Sequence, residues 1–267
     1  MIAICAIMCG ADTWQEMEEF GKEKEHWFKR FLKLQSGIPS HDTFYRLFCL
    51  LAPETFQACF TQWVKSAFSP SQTNNDDIIP IDGKAIKGSR GKGKGKRAVH
   101  LVSAWSTQLG LVVGQKAVDK KSNEITAVPE LLQSLDLRGC LITADALHCQ
   151  KLIAETCITE GAHYLLAVKG NQELLHKDIG ATVEDYWSET PVDTVSDRFF
   201  EQENHGHGRY EHRRCWIFND LSLLSTGDQW PGLAQFGVIQ ADRTEKNETT
   251  TAFRYYITSQ TMTAEQI

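Results

Sequence analysis

Residues 78–97 read IIPIDGKAIKGSRGKGKGKR. An apolar run with strand character ends in one acid, Asp82. Seven cations follow within fifteen residues: Lys84, Lys87, Arg90, Lys92, Lys94, Lys96 and Arg97. Glycines are threaded between them, which makes the basic stretch a flexible loop. A lone carboxylate at a strand tip therefore lies beside a mobile block of positive charge.

Downstream the pattern stays two-periodic. AVHLVSAWS (98–106) and LGLVVGQKAV (109–118) read as strands joined closely enough to form a hairpin. SNEITAVPELLQSL reads as a helix capped by Ser122 or Asn123. GCLITADA is a buried strand ending in Asp145, and CQKLIAETCITEG is a helix stopped by Gly161. HYLLAVKG adds a strand and NQELLHKDIGATVEDYW a helix. This β-β-β-α-β-α-β-α order predicts an α/β fold, a mixed sheet flanked by helices. From about residue 190 to 260 the chain turns β-rich in four further segments. Upstream, residues 1–69 are helical in pattern: Trp14, Met17, Phe20, Trp27, Phe28 and Phe31 recur at three-to-four spacing within a single stretch. Ser40 or Asp42 can cap a later helix, and Pro53 can open another. The polar segment 70–77 is the expected linker between this helical domain and a core spanning 78–267.

The net charge of −6 excludes a generally basic surface, so any nucleic acid must bind a local patch. Eight cysteines with no CxxC pair suit a reduced, cytoplasmic protein. The apolar start MIAICAIMCG lacks a basic leader and is too short to span a bilayer, and no other run approaches that length.

Asp82 and Asp145 each follow an apolar strand directly, in PID and TAD. The intervening elements allow the two strands to lie side by side with both acids at one end. Two adjacent carboxylates share a proton or bind a cation, and hard oxygen ligands select Mg²⁺ or Mn²⁺. Such a metal pair activates a water or a 3′-hydroxyl for attack on a phosphodiester. The basic loop would then neutralise DNA phosphates. Either aspartate alone is more commonly a turn residue, and a Lys/Gly run a solvated loop; their combination carries the reading. Lys169 and Asn171, after a further strand tip, join Lys84 and Lys87 as candidate phosphate contacts. Arg209, Arg213 and Arg214 can face phosphate from a surface strand. His205, His207, His212 and Cys215 match no closed zinc spacing, and strand alternation need not bring them together. The helices at 40–66 permit a helix-turn-helix, but with only His41, Arg46 and Lys65 as cations a packed helical domain is the simpler reading.

IDGKAIKGS, HLVSAWSTQLGLVVGQKAVDKKSNEITAVPELL, LITADALHCQKLIAE and HYLLAVKGNQ closely resemble the H-repeat-associated transposases that accompany Rhs elements in bacteria. CGADTWQEMEEFG and GIPSHDTFYRLF resemble the helical domain ahead of their core, and ENHGHGRYEHRRCWI and RYYITS their later segments. The resemblance covers nearly the whole chain. It implies a DDE transposase with an RNase H-like core, two metal-binding aspartates at Asp82 and Asp145, and a catalytic glutamate. In the family that glutamate lies on a helix after the YYIS strand, in a W-x-x-E-N-x-L-H-W segment. No such segment occurs in these 267 residues. The family also begins further upstream, so the chain is expected to be a fragment trimmed at both ends. Glu211, in HGRYEHRR, is a substitute third acid, although the family carries that segment in addition to its helical glutamate. The implied partners are element-end and target DNA, with dimerisation carried by the resemblance alone. Three other readings stay open: an inactive DNA-binding remnant, a metal-dependent nuclease using Glu211, and a protein-interaction domain.

Overall fold

The computed structural model describes residues 1–67, 76–86, 89, 98–118, 124–189, 198–206, 209–246 and 248–267. The chain divides into two compact units, Met1–Gln62 and Trp63–Ile267.

The first unit is helical. It holds α1 (Ile2–Met8), α2 (Trp14–Glu23), α3 (Glu25–Phe28), α4 (His41–Leu50) and most of α5 (Pro53–Ala67). Ala6, Met17, Phe28 and Phe44 meet in its core. Thr13 opens α2 with a reciprocal capping box to Glu16. The helical pattern around residues 14–31 is divided at Lys24, where ψ is 12°, and α3 ends at Phe28. Glu18 ties α2 to α4 by accepting from His41 N at 2.7 Å. The hydrogen bond from Lys22 and those from His41 lower its carboxyl pKa to about 2.

The second unit is built on one nine-stranded sheet. Its strands are β1 (Ile78–Ala85), β2 (His100–Ser106), β3 (Leu111–Val118), β4 (Leu141–Ala144), β5 (His163–Val168), β6 (Phe199–Gly206), β7 (Arg209–Phe218), β8 (Gln235–Glu245) and β9 (Glu248–Thr258). The order across the sheet is β3-β2-β1-β4-β5-β9-β8-β7-β6. β1 pairs β4 and β4 pairs β5 in parallel, whereas β2 runs antiparallel to both β1 and β3. A 3-2-1-4-5 order with only the second strand reversed is the RNase H-like arrangement, as the sequence resemblance implies. The β-rich segment does not form a layer of its own. β9 pairs antiparallel with β5, and β8, β7 and β6 extend the same sheet as a meander.

The pairing register explains why these residues sit where they do. Ile81 pairs Ala104 on one side and Ala144 on the other. The row continues through Gly114 at one end, and through Leu166, Ile257, Phe236 and Phe218 at the other. Side chains in register share a face of the sheet. This face therefore presents one apolar row across eight strands. Against it pack α6 (Glu124–Gln133), α7 (Lys151–Thr159) and α8 (Glu173–Glu189), through residues such as Leu131, Ile153 and Ile179. The small residues lie under α6: a Cβ on Gly114 would meet Leu131 and Leu135 at 3.0 and 3.1 Å. On the opposite face Cys215 and Ile217 pack with Ala264. Burial pushes the thiols of Cys149, Cys157 and Cys215 up to about 12, so they stay protonated at neutral pH. Among the described residues no helix is long and apolar enough to cross a membrane.

Asp77, assigned from the sequence to the linker, is only 4% exposed. Its carboxylate accepts from Ser106 Oγ, from Thr107 Oγ1 at 2.9 Å and from Gln108 N at 3.0 Å. It fastens the start of β1 to the β2–β3 turn. Replacing it leaves the buried Ser106 hydroxyl without its acceptor and releases the two bonds to the turn. Asp77→Ala is expected to lower unfolding free energy by about 3 kcal/mol, read as a shifted midpoint in urea at unchanged slope.

Candidate active site

The register that buries Ile81 turns Asp82 the other way. Asp82 pairs Ser103 on β2 and is exposed. The last parallel pair between β1 and β4 is Ile81 with Ala144, so Asp82 and Asp145 follow one another's strands at the same step. Asp145 continues in extended geometry, with φ −71° and ψ 174°. Asp82 thus lies where β1 runs on past its last pair with β4, and Asp145 directly follows β4, on the side of the sheet where open α/β sheets bind ligands.

Asp145 is half engaged. Its Oδ1 accepts from Leu147 N at 3.0 Å, His148 N at 3.4 Å and His148 Nδ1 at 2.8 Å. These contacts cap the 3₁₀ turn Ala146–His148. Oδ2 has no hydrogen bond among the described residues, and 68% of the side chain is exposed. The second oxygen therefore remains available to a ligand. Asn171, expected at phosphate, donates Nδ2 to the Ala146 carbonyl at 2.6 Å, and Gln172 donates to the Cys149 carbonyl at 2.9 Å. The turn after β5 thus braces the turn after β4. Lys84 and Lys169 are exposed at the strand ends.

Behind the acids lies a group that the sequence reading missed. Glu124, the first residue of α6, is 2% exposed. His100 Nδ1 lies 3.5 Å from its Oε1 and His148 Nε2 lies 3.9 Å from its Oε2. A Cβ on Gly83 would meet Oε2 at 2.4 Å, so the carboxylate in this position requires the glycine or must shift. The available sequence signal was that glycine, placed in a strand just after Asp82, where it marks a close approach.

The remaining expected residues lie elsewhere. Glu211 is on β7, five strands from β1, which at roughly 4.8 Å per strand is about 24 Å away. It pairs with Arg213 at 3.0 Å. Arg209 pairs with Glu245 at 3.3 Å, and Arg214 donates to Asp242. His212 pairs with Glu201, while Cys215 is buried on the other face of the same strand. His207 lies outside the described residues, as do Lys87, Arg90, Lys92, Lys94, Lys96 and Arg97 of the basic segment. The neck of that segment is described: Ile86 N donates to the Val99 carbonyl at 2.8 Å and Val99 N to Ser89 Oγ at 2.7 Å. The basic segment therefore falls in the connection that leaves β1 after Ala85 and returns as β2 at His100. The donor chemistry at Asp82 and Asp145 suits a hard divalent cation. Among the described residues no three His, Cys, Asp or Glu side chains are assembled to hold one.

The sheet has the RNase H-like order, with Asp82 on its first strand and Asp145 just after its fourth. Residues 73–267 match the family described as Transposase DDE domain, and residues 1–64 match its DDE_Tnp_1-associated domain. The chain belongs to this transposase family. It is 40% identical over 262 residues to the "Uncharacterized protein in dhlA 3'region" of Xanthobacter autotrophicus, covering 97% of this chain and 85% of that one. It is 37% identical over 272 residues to the "H repeat-associated putative transposase YhhI" of Escherichia coli K12, covering 100% of this chain and 70% of that one. A solved piggyBac transposase synaptic complex with hairpin DNA aligns with 89% of this chain and 47% of its own, at 10% identity and a TM-score of 0.36, too distant to carry any inference.

The close approach at Gly83 generates a direct prediction. Gly83→Ala must displace the Glu124 carboxylate and is expected to cost about 1–3 kcal/mol of stability. Equilibrium denaturation measures it, and an unchanged midpoint would show that Glu124 yields freely.

Proposed function

We propose that this chain carries the strand-cleaving and strand-joining core of an insertion-sequence-type DNA transposase. The observation that supports the reading is the register of β1 with β4, whose last pair, Ile81 with Ala144, immediately precedes Asp82 and Asp145. In this reading the two aspartates hold Mg²⁺ or Mn²⁺. A bound cation would supply Lewis-acid stabilisation of the attacking and leaving oxygens of a phosphodiester. The protein's own residues bind and orient the DNA. Lys84 and Lys169 meet phosphates flanking the acids, and Lys87, Arg90, Lys92, Lys94, Lys96 and Arg97 hold the strand through backbone charge. Hydrolysis adds water oxygen to phosphorus and frees a 3′-hydroxyl. That hydroxyl then attacks a phosphodiester of target DNA, releasing a second 3′-hydroxyl. The family's third acid belongs to the segment after the YYITS strand. The placement of Glu211 on β7 argues against its serving instead.

A second reading, DNA binding without cleavage, is favoured by the absence of a third ligating side chain beside the pair among the described residues. Both are tested by nicking and end-joining of element-end DNA with Mn²⁺. Nicking that falls about 100-fold or more in Asp82→Ala and Asp145→Ala supports the first reading. Binding without nicking supports the second, and no binding overturns both.

The basic segment makes its own prediction. Changing Lys92, Lys94 and Lys96 to Gln should lower the slope of log affinity against log salt by about 2.7 on duplex DNA. An unchanged slope would remove the segment from the DNA interface.

A further inference from the structure

The carboxylate of Glu124 is buried where an apolar residue would be simpler to accommodate. An almost fully buried acid costs several kcal/mol unless it is paired, and its neighbours are two imidazoles, His100 and His148. His148 is itself buried, and its Nε2 has no hydrogen-bond partner among the described residues. That atom faces Glu124 at 3.9 Å, while Nδ1 of the same ring holds Asp145 Oδ1 at 2.8 Å. Glu124 therefore lies within ion-pair distance of the imidazole that bonds Asp145. It reaches Asp82 through the backbone, because its Oε2 lies against Gly83, the next residue. One side chain thus lies against β1 beside Asp82 and against the turn that follows Asp145.

We propose that Glu124 is a positioning residue for the aspartate pair. It fixes the His148 ring, so that Asp145 keeps one oxygen engaged and turns the other outward, and it packs β1 into the register that carries Asp82. By strand alternation Gly83 and Asp82 face opposite sides of the sheet, so Glu124 acts from behind and is not itself a ligand. The inference rests on the reading of Asp82 and Asp145 as the cation-binding pair. Groups that orient a ligand from behind commonly alter metal affinity 10- to 100-fold.

The test uses the full chain with Glu124→Gln, which keeps shape, and His148→Asn, which retains a donor near Asp145 but cuts the link to Glu124. Mn²⁺ affinity is read from the free-ion electron paramagnetic resonance signal. Each single variant should bind about 10-fold more weakly, and the double variant no more weakly than the weaker single. Affinity within twofold of the parent, or additive losses, overturns the proposal. A metal-free readout accompanies it: the His148 Nδ1–H proton, seen by nitrogen-edited magnetic resonance, should be protected from exchange in the parent and lose that protection in Glu124→Gln. Unchanged protection also overturns the proposal. Mn²⁺ binding that survives Asp82→Ala and Asp145→Ala would instead overturn the aspartate-pair reading, and the imidazole proton would still decide whether Glu124 holds His148.

Discussion

The apolar row through Ile81, Ala144, Leu166 and Ile257 fixes the register of the central strands, and the register fixes where Asp82 and Asp145 stand. A slip of one residue along β1 would carry Ile81 into solvent and Asp82 under the helices. Burying that carboxylate unpaired would cost several kcal/mol, and leaving Ile81 exposed would forgo about 2 kcal/mol more. Core packing and acid placement are thus one constraint. The helices on the apolar face hold the sheet in the alignment that turns Asp82 to the other face and brings Asp145 to the same step after the neighbouring strand.

The alternation of β and α segments was legible because each segment carries its own period and its own stop, such as Gly161 after α7 at φ +72°. Asp82 and Asp145 were legible because each ends an apolar run. The union of β5 with β9 was not, since no local pattern encodes a partner so distant in sequence. Asp77 read as linker because it adjoins a polar run, and only the fold shows its three donors. Glu124 was not singled out in the sequence, where an acid in a first helical turn is ordinary. Its burial depends on β1 lying beneath α6, which spacing along the chain does not reveal. The break at Lys24 was hidden by a hydrophobic period that runs on past it.

The cations singled out in the sequence fall into two groups once their neighbours are known. Arg209, Arg213 and Arg214 each have an acidic partner on the extended sheet. Lys84 and Lys169 form no ion pair among the described residues. An exposed ion pair contributes little, about 0–1 kcal/mol, so a phosphate could still recruit the arginines by exchanging one anion for another. The two lysines require no such exchange, and they lie at the strand ends that carry the acids.

The late pairing of β9 has a consequence for synthesis. Tyr164 N donates to Ser259 Oγ, 95 residues further on. The ribosome therefore completes β4 and β5 well before it makes the strand that covers their open side. At typical elongation rates of about 5–20 residues per second, that edge waits on the order of 5–20 s. Throughout the interval β5 offers unpaired backbone beside apolar side chains, the combination that recruits foreign strands. A nascent copy is thus most vulnerable to aggregation after its two acids have been made and before its sheet is closed.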